Sequence, residues 1–282
     1  MKYISLVVFM LTIRVGFAQD KSELPFIEHL INKGFYGEVI HLIDNDSHNY
    51  MPIQQDSLNY YQGWAHYSLK NLEQSTSSLL NVSKKSPFYL KSRFFAGYNQ
   101  TFLENYAEAR KIIGEMEDLN EPNLSLAHFE LCGIDMLQGN WTKAKEQLQL
   151  VNQDIATINQ QVVALSQICK ENENHHPKSP FLAGLMSGII PGSGKIYAGK
   201  TGEGIAAMIA TSGFGLIAWE NYRKLGIDNF KTIFFGSIFV ANYVSNIYGS
   251  VISVKIIENK HKDAIHNQIL FQLHIPLRNF FE

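Results

Sequence analysis

The sequence predicts an all-α protein: a stack of helical hairpins followed by a transmembrane helical hairpin. Three observations predict it. One layout recurs every 34 to 35 residues between about 55 and 150. Helical periodicity dominates the first 170 residues, with no convincing strand run or hairpin-turn signal. Two apolar stretches of membrane-crossing length follow, over 202–219 and 232–254. A fixed period of this size marks stacked helix-turn-helix units that share one elongated core.

The chain opens on a stretch with the three parts of a signal peptide. Lys2 precedes an apolar run from Ile4 to Ile13, and Val15-Gly16-Phe17-Ala18 leads to an expected cleavage after Ala18. No cysteine would stand at the new N-terminus, which argues against lipid attachment there.

The repeat region is expected over 22–170. Gly63, Leu69, Asn71, Leu72 and Leu79 recur 34 positions later as Gly97, Leu103, Asn105, Tyr106 and Ile113. The next copy keeps 34 at Leu137 and slips to 35 at Trp141, Ala144 and Leu148. Small residues at Gly63, Gly97, Ser75, Ala109 and Ala144 let the two helices of a hairpin approach, while Leu72, Tyr106 and Trp141 fill the gap to the next hairpin. Pro87 and Pro122 end the units, because proline cannot continue a helix without losing a hydrogen bond. Ile155, Ile158, Val162, Leu165 and Cys169 form one stripe on a closing helix that covers the last apolar face.

With its Gly and aromatic on the first helix, a Gly-Asn-aromatic turn and an Ala in the second helix, this layout resembles the tetratricopeptide repeat. Gly139-Asn140-Trp141 with Ala144 is the nearest match, and Lys33-Gly34-Phe35-Tyr36 a weaker first copy. Ser75 and Leu131 depart from the family's Ala and Gly. The resemblance implies a concave groove lined by the first helix of each hairpin. The matching positions are Tyr60, Trp64, Tyr67, Phe94, Tyr98 and Thr101, an aromatic set suited to a protein or peptide partner in extended or helical form.

A polar linker is expected over 171–180 and a membrane region over 181–257. The glycines and serines of the two apolar helices predict a tight hairpin, since small residues let membrane helices pack backbone to backbone. Phe181 to Ile190 is too short to cross and reads as interfacial or re-entrant. Pro191, Gly192, Gly194, Tyr197, Gly199, Lys200 and Gly204 resemble the signature preceding the paired helices of small bacterial two-transmembrane-helix proteins of unknown function. That likeness implies a fold and a membrane location, and no reaction. Arg223, Lys224 and Lys231 in the loop between the helices place that loop in the cytoplasm, and so the repeats and the 258–282 tail outside. The tail reads as a surface helix, an extended arm or partial disorder, and a third crossing by Phe181 to Ala198 would change its side.

A formal charge of −2 leaves no basic face for nucleic acid. Gly192-Ser193-Gly194-Lys195 is not a phosphate loop, because Ile189 and Ile196 stand where Gly and Ser/Thr are required, so no nucleotide is expected. Ten dispersed histidines give no zinc spacing, and the serines lack a nucleophile elbow. Cys132 and Cys169 are expected as buried thiols. With neither catalytic residues nor a cofactor or metal site expected, the chain reads as a non-enzymatic scaffold at the bacterial inner membrane, its repeats in the periplasm. The alternative is an accessory factor for membrane-protein assembly or envelope transport, acting through the glycine-rich hairpin.

Overall fold

A computed structural model describes residues 23–46 and 54–281; the expected signal peptide lies outside them. Among the described residues there are thirteen helices and no strand. In order they are α1 (Leu24–Lys33), α2 (Tyr36–Asp46), α3 (Gln55–Ser68), α4 (Leu72–Leu80), α5 (Tyr89–Phe102), α6 (Tyr106–Gly114), α7 (Asn123–Leu137), α8 (Trp141–Gln149), α9 (Ala156–Asn174), α10 (Pro180–Ile189), α11 (Ser193–Ala198), α12 (Thr201–Leu225) and α13 (Phe230–Phe280). They form two compact units. The first holds residues up to Ala164 together with Gln272 onward, and the second is Leu165–Phe271.

In the first unit, helices α1 to α8 make four hairpins, each packed on the next. Their turns share one geometry. Gly34, Lys70, Glu104 and Gly139 all take positive φ, at 78°, 66°, 62° and 77°. The next N–H then donates back to a carbonyl five residues earlier: Phe35 to Leu30, Asn71 to His66, Asn105 to Gln100 and Asn140 to Asp135, all at 2.8–3.0 Å. This Schellman closure satisfies carbonyls that the end of the first helix would leave unpaired. Glycine reaches it without strain; Lys70 and Glu104 reach it against a Cβ clash of about 1–2 kcal/mol.

Glycine also sets the hairpin spacing. A Cβ on Gly63 would stand 2.6 Å from Leu79 Cγ, and one on Gly97 would stand 2.9 Å from Ile113 Cγ1. Ser75 fits the same gap by donating its hydroxyl to the Gly63 carbonyl at 2.8 Å and accepting from Asn99 at 2.9 Å, which ties two hairpins together. Arg93 donates to the carbonyls of Leu79 and Val82 at the end of α4. The first core joins Ile27, Val39 and Ile43 to Leu58 and Ala65 of the following hairpin.

Two boundaries differ from those read in the sequence. The polar stretch 171–180 is not wholly a linker: α9 continues to Asn174, and the division between units falls within it, after Ala164. The tail continues the helix of the second apolar segment as far as Phe280, with Pro276 inside its last turns. Its sequence explains this, since from Ser250 to Ile275 there is neither Gly nor Pro to stop the helix.

In the second unit, α12 and α13 are long and apolar enough to cross a membrane, and only 11% and 22% of their apolar windows are buried. A soluble core helix would bury most of such a stripe. The expected backbone-to-backbone hairpin between them is not what the glycines make. Gly202, Gly213 and Gly236 have open space where a Cβ would go, and Gly215 meets the ring of Phe239. A large ring on the facing helix fills the space that small residues would otherwise close.

Candidate functional site: the repeat groove and its occupant

Helices α3 and α5 present the six groove positions, and the structure divides them. Tyr60 is buried with its ring stacked on Phe88 at 4.3 Å. Trp64 is half-buried, edge-on to Phe95 at 5.0 Å, with the Lys91 ammonium 5.0 Å over its ring. Thr101 does not line the groove: fully buried, it donates its hydroxyl to the Gly97 carbonyl at 2.9 Å. Tyr67, Phe94 and Tyr98 are buried against the last residues of the chain itself.

Those residues are the end of α13 that belongs to the first unit. Leu273 and Leu277, one turn apart on the same face, are both fully buried. Leu273 seats over Gly133 of α7, where an added Cβ would lie 2.4 Å from a leucine methyl. The His274 imidazole stacks on Tyr98 with ring centroids 5.2 Å apart and is hydrogen-bonded to the Tyr67 hydroxyl. Phe281 lies 5.8 Å from Phe94, and Lys91 donates to the Phe281 carbonyl at 3.3 Å. Sequence reasoning missed Lys91 and Gly133. Gly133 was legible: it follows Tyr98 by 35 residues, the shifted period of the last copy, as Tyr98 follows Trp64 by 34.

The groove is electrostatically unusual. Glu130 of α7 is fully buried with neither carboxylate oxygen hydrogen-bonded, and burial, which disfavours the charged form, pushes its carboxyl well above the ordinary glutamate range. Burial also raises the Tyr67 hydroxyl to about 12, against the lowering effect of the Arg278 cation, and raises Tyr98. His274 is held below the ordinary imidazole range, first by burial and then by the Arg278 and Lys70 cations. Its ring is therefore neutral, and a neutral Nε2 can accept the Tyr67 proton.

The motif ahead of α12 is a knot of glycines in the second unit. A Cβ on Gly192 would fall 2.1 Å from the Gly204 carbonyl oxygen, one on Gly194 would fall 1.9 Å from the Ala183 oxygen, and one on Gly204 would fall 2.7 Å from the Gly192 oxygen. Only glycine lets three backbones cross this closely. Gly199 takes φ 98° in the turn into α12, and Lys200 pairs with Glu203 at 3.0 Å. Tyr197 accepts the Ser179 N–H at 3.1 Å, and Pro191 leads into the turn at Gly192. Ser187 accepts the Gly194 N–H at 2.9 Å and shares a 2.7 Å hydrogen bond with Ser250.

Cys132 and Cys169 are buried thiols. No three His, Cys, Asp or Glu side chains among the described residues gather as a metal group. Comparison with protein-family models, curated proteins and solved structures finds no match.

Proposed function

We propose that the protein is a non-enzymatic, membrane-anchored scaffold whose tetratricopeptide-like repeat groove recruits a protein partner in the bacterial cell envelope. The observation that carries this reading is the groove itself. Three successive hairpins supply Trp64, Tyr98 and Gly133 at one repeating position, and the surface they form is complementary to an amphipathic helix. Shape of this kind recognises a helix by its apolar stripe.

The anchoring half rests on α12 and α13, whose apolar faces are exposed along lengths that suit a bilayer. Chain on both sides of this pair folds into one unit. Such a chain must cross the bilayer an even number of times, so two crossings are the reading, with α10 and α11 re-entrant or interfacial. Arg223, Lys224 and Lys231 then assign the α12–α13 loop to the cytoplasm and the repeats to the periplasmic side of the inner membrane.

The test is photocrosslinking in intact cells from a reactive residue at position 98. A discrete second protein crosslinked there, and not from position 119 in the connection between α6 and α7, is the expected result; crosslinks confined to lipid and the membrane helices would overturn it.

One observation favours a second reading, an assembly or transport accessory acting through the membrane hairpin. Asn246 of α13 is 4% exposed, and neither atom of its amide is hydrogen-bonded. An unsatisfied amide within an apolar segment is costly and marks a place where a substrate group would be received. Asn246→Leu separates the two: groove crosslinking survives it under the scaffold reading, whereas export or assembly fails under the accessory reading.

A further inference from the structure

The groove is filled by residues of the same chain, and the chemistry of that occupant defines what the groove takes. Building on the scaffold reading, we propose that residues 272–281 are a displaceable resident ligand, and that the partner engages by presenting a helix of the same pattern. The pattern is two aliphatic side chains one turn apart, an uncharged hydrogen-bonding ring beside the first, and an aromatic one turn beyond the second. Leu273, Leu277, His274 and Phe281 supply these features here.

Each feature has its counterpart in the groove. Gly133 leaves a hollow that a leucine fills and that any side chain at 133 would occupy. Tyr98 and Tyr67 offer a ring face and a hydroxyl to a planar polar group. Lys91 reaches a backbone carbonyl past the end of the helix, where carbonyls lack an internal partner. Glu130, buried and without a hydrogen bond, makes this wall intolerant of an acidic side chain, since a second carboxyl would meet a desolvated one.

The occupant carries the marks of a removable piece. Pro276 lies inside α13 and cannot donate to the carbonyl of Gln272, so the helix ladder is interrupted at the residue where the docked segment begins. Arg278 and Asn279 remain exposed, which confines the buried contact to one face. A tethered segment has a high effective concentration at its own groove, so a free helix succeeds only by matching these contacts closely or by binding in excess.

The experiment uses the full chain in detergent micelles and an isotopically labelled peptide spanning residues 269–281. Hydrogen exchange is followed by mass spectrometry as peptide is added. Exchange of residues 272–281 in the protein should rise by tenfold or more, while α3 to α8 keep their protection. A Leu273→Asp/Leu277→Asp variant should bind the peptide at least tenfold more tightly than the unaltered chain, and Gly133→Leu should abolish binding. Unchanged exchange at saturating peptide, or a general loss of protection across the repeats, would show a permanent structural strut and overturn the proposal. Peptide exchange as expected with no second protein crosslinked in cells would keep the resident-ligand assignment and remove the scaffold reading.

Discussion

Glu130 and His274 carry the two pH dependences expected of the repeat unit. The folded carboxyl of Glu130 keeps its proton to higher pH than the unfolded one, so stability is full below the ordinary glutamate value of about 4.3 and declines as pH rises towards the raised value. Glu130→Gln should therefore melt higher than the parent at pH 8, with the gap closing near pH 4.5, in thermal scans across pH. His274 has the opposite sign. Its docked ring resists protonation, so the released segment binds the extra proton and docking weakens as pH falls below about 6.5. Burial and then the Arg278 and Lys70 cations disfavour the imidazolium, and Tyr67 and Tyr98 contact the ring as uncharged groups. The protection factors of 272–281, with exchange normalised to the intrinsic rate at each pH, should be lower at pH 5.5 than at pH 7.5, and His274→Gln should remove most of the difference.

At the scale of single elements, the hairpins were legible in the sequence because their rules are local. Gly63 and Gly97 are spaced by the period and meet Leu79 and Ile113. Gly97→Leu should lower stability by roughly 1–3 kcal/mol, read as a fall in melting temperature, because the added side chain must displace Ile113. The turns give the reverse prediction. Lys70→Gly and Glu104→Gly should each stabilise by about 0.5–1 kcal/mol in denaturant titration, since glycine accepts the left-handed turn that a Cβ resists. Thr101 was misread because a groove position and an inward position differ by only a fraction of a turn. Its hydroxyl, turned back to Gly97, decided the matter. The tight pairing expected of α12 and α13 failed for a related reason: glycine permits close approach but does not require it, and Phe239 occupies the place beside Gly215.

For the whole molecule, period and apolarity foretold two kinds of region, and the structure adds that the chain's end returns to the first. No local pattern in 272–281 announces this. Leu273 and Leu277 repeat like any amphipathic helix, and their partner Gly133 lies 140 residues away, a distance over which periodicity carries no information. With α12 and α13 crossing a bilayer as proposed, the return makes a topological demand, that chain before and after that pair share one side. Single cysteines at Lys143, Asp228 and Asn279, all exposed, can be probed in spheroplasts with a membrane-impermeant maleimide while Cys132 and Cys169 stay buried. Positions 143 and 279 should label together, with 228 reacting only after the membrane is opened. Labelling of 279 in company with 228, and not with 143, would contradict a two-crossing anchor whose terminus closes the repeat groove.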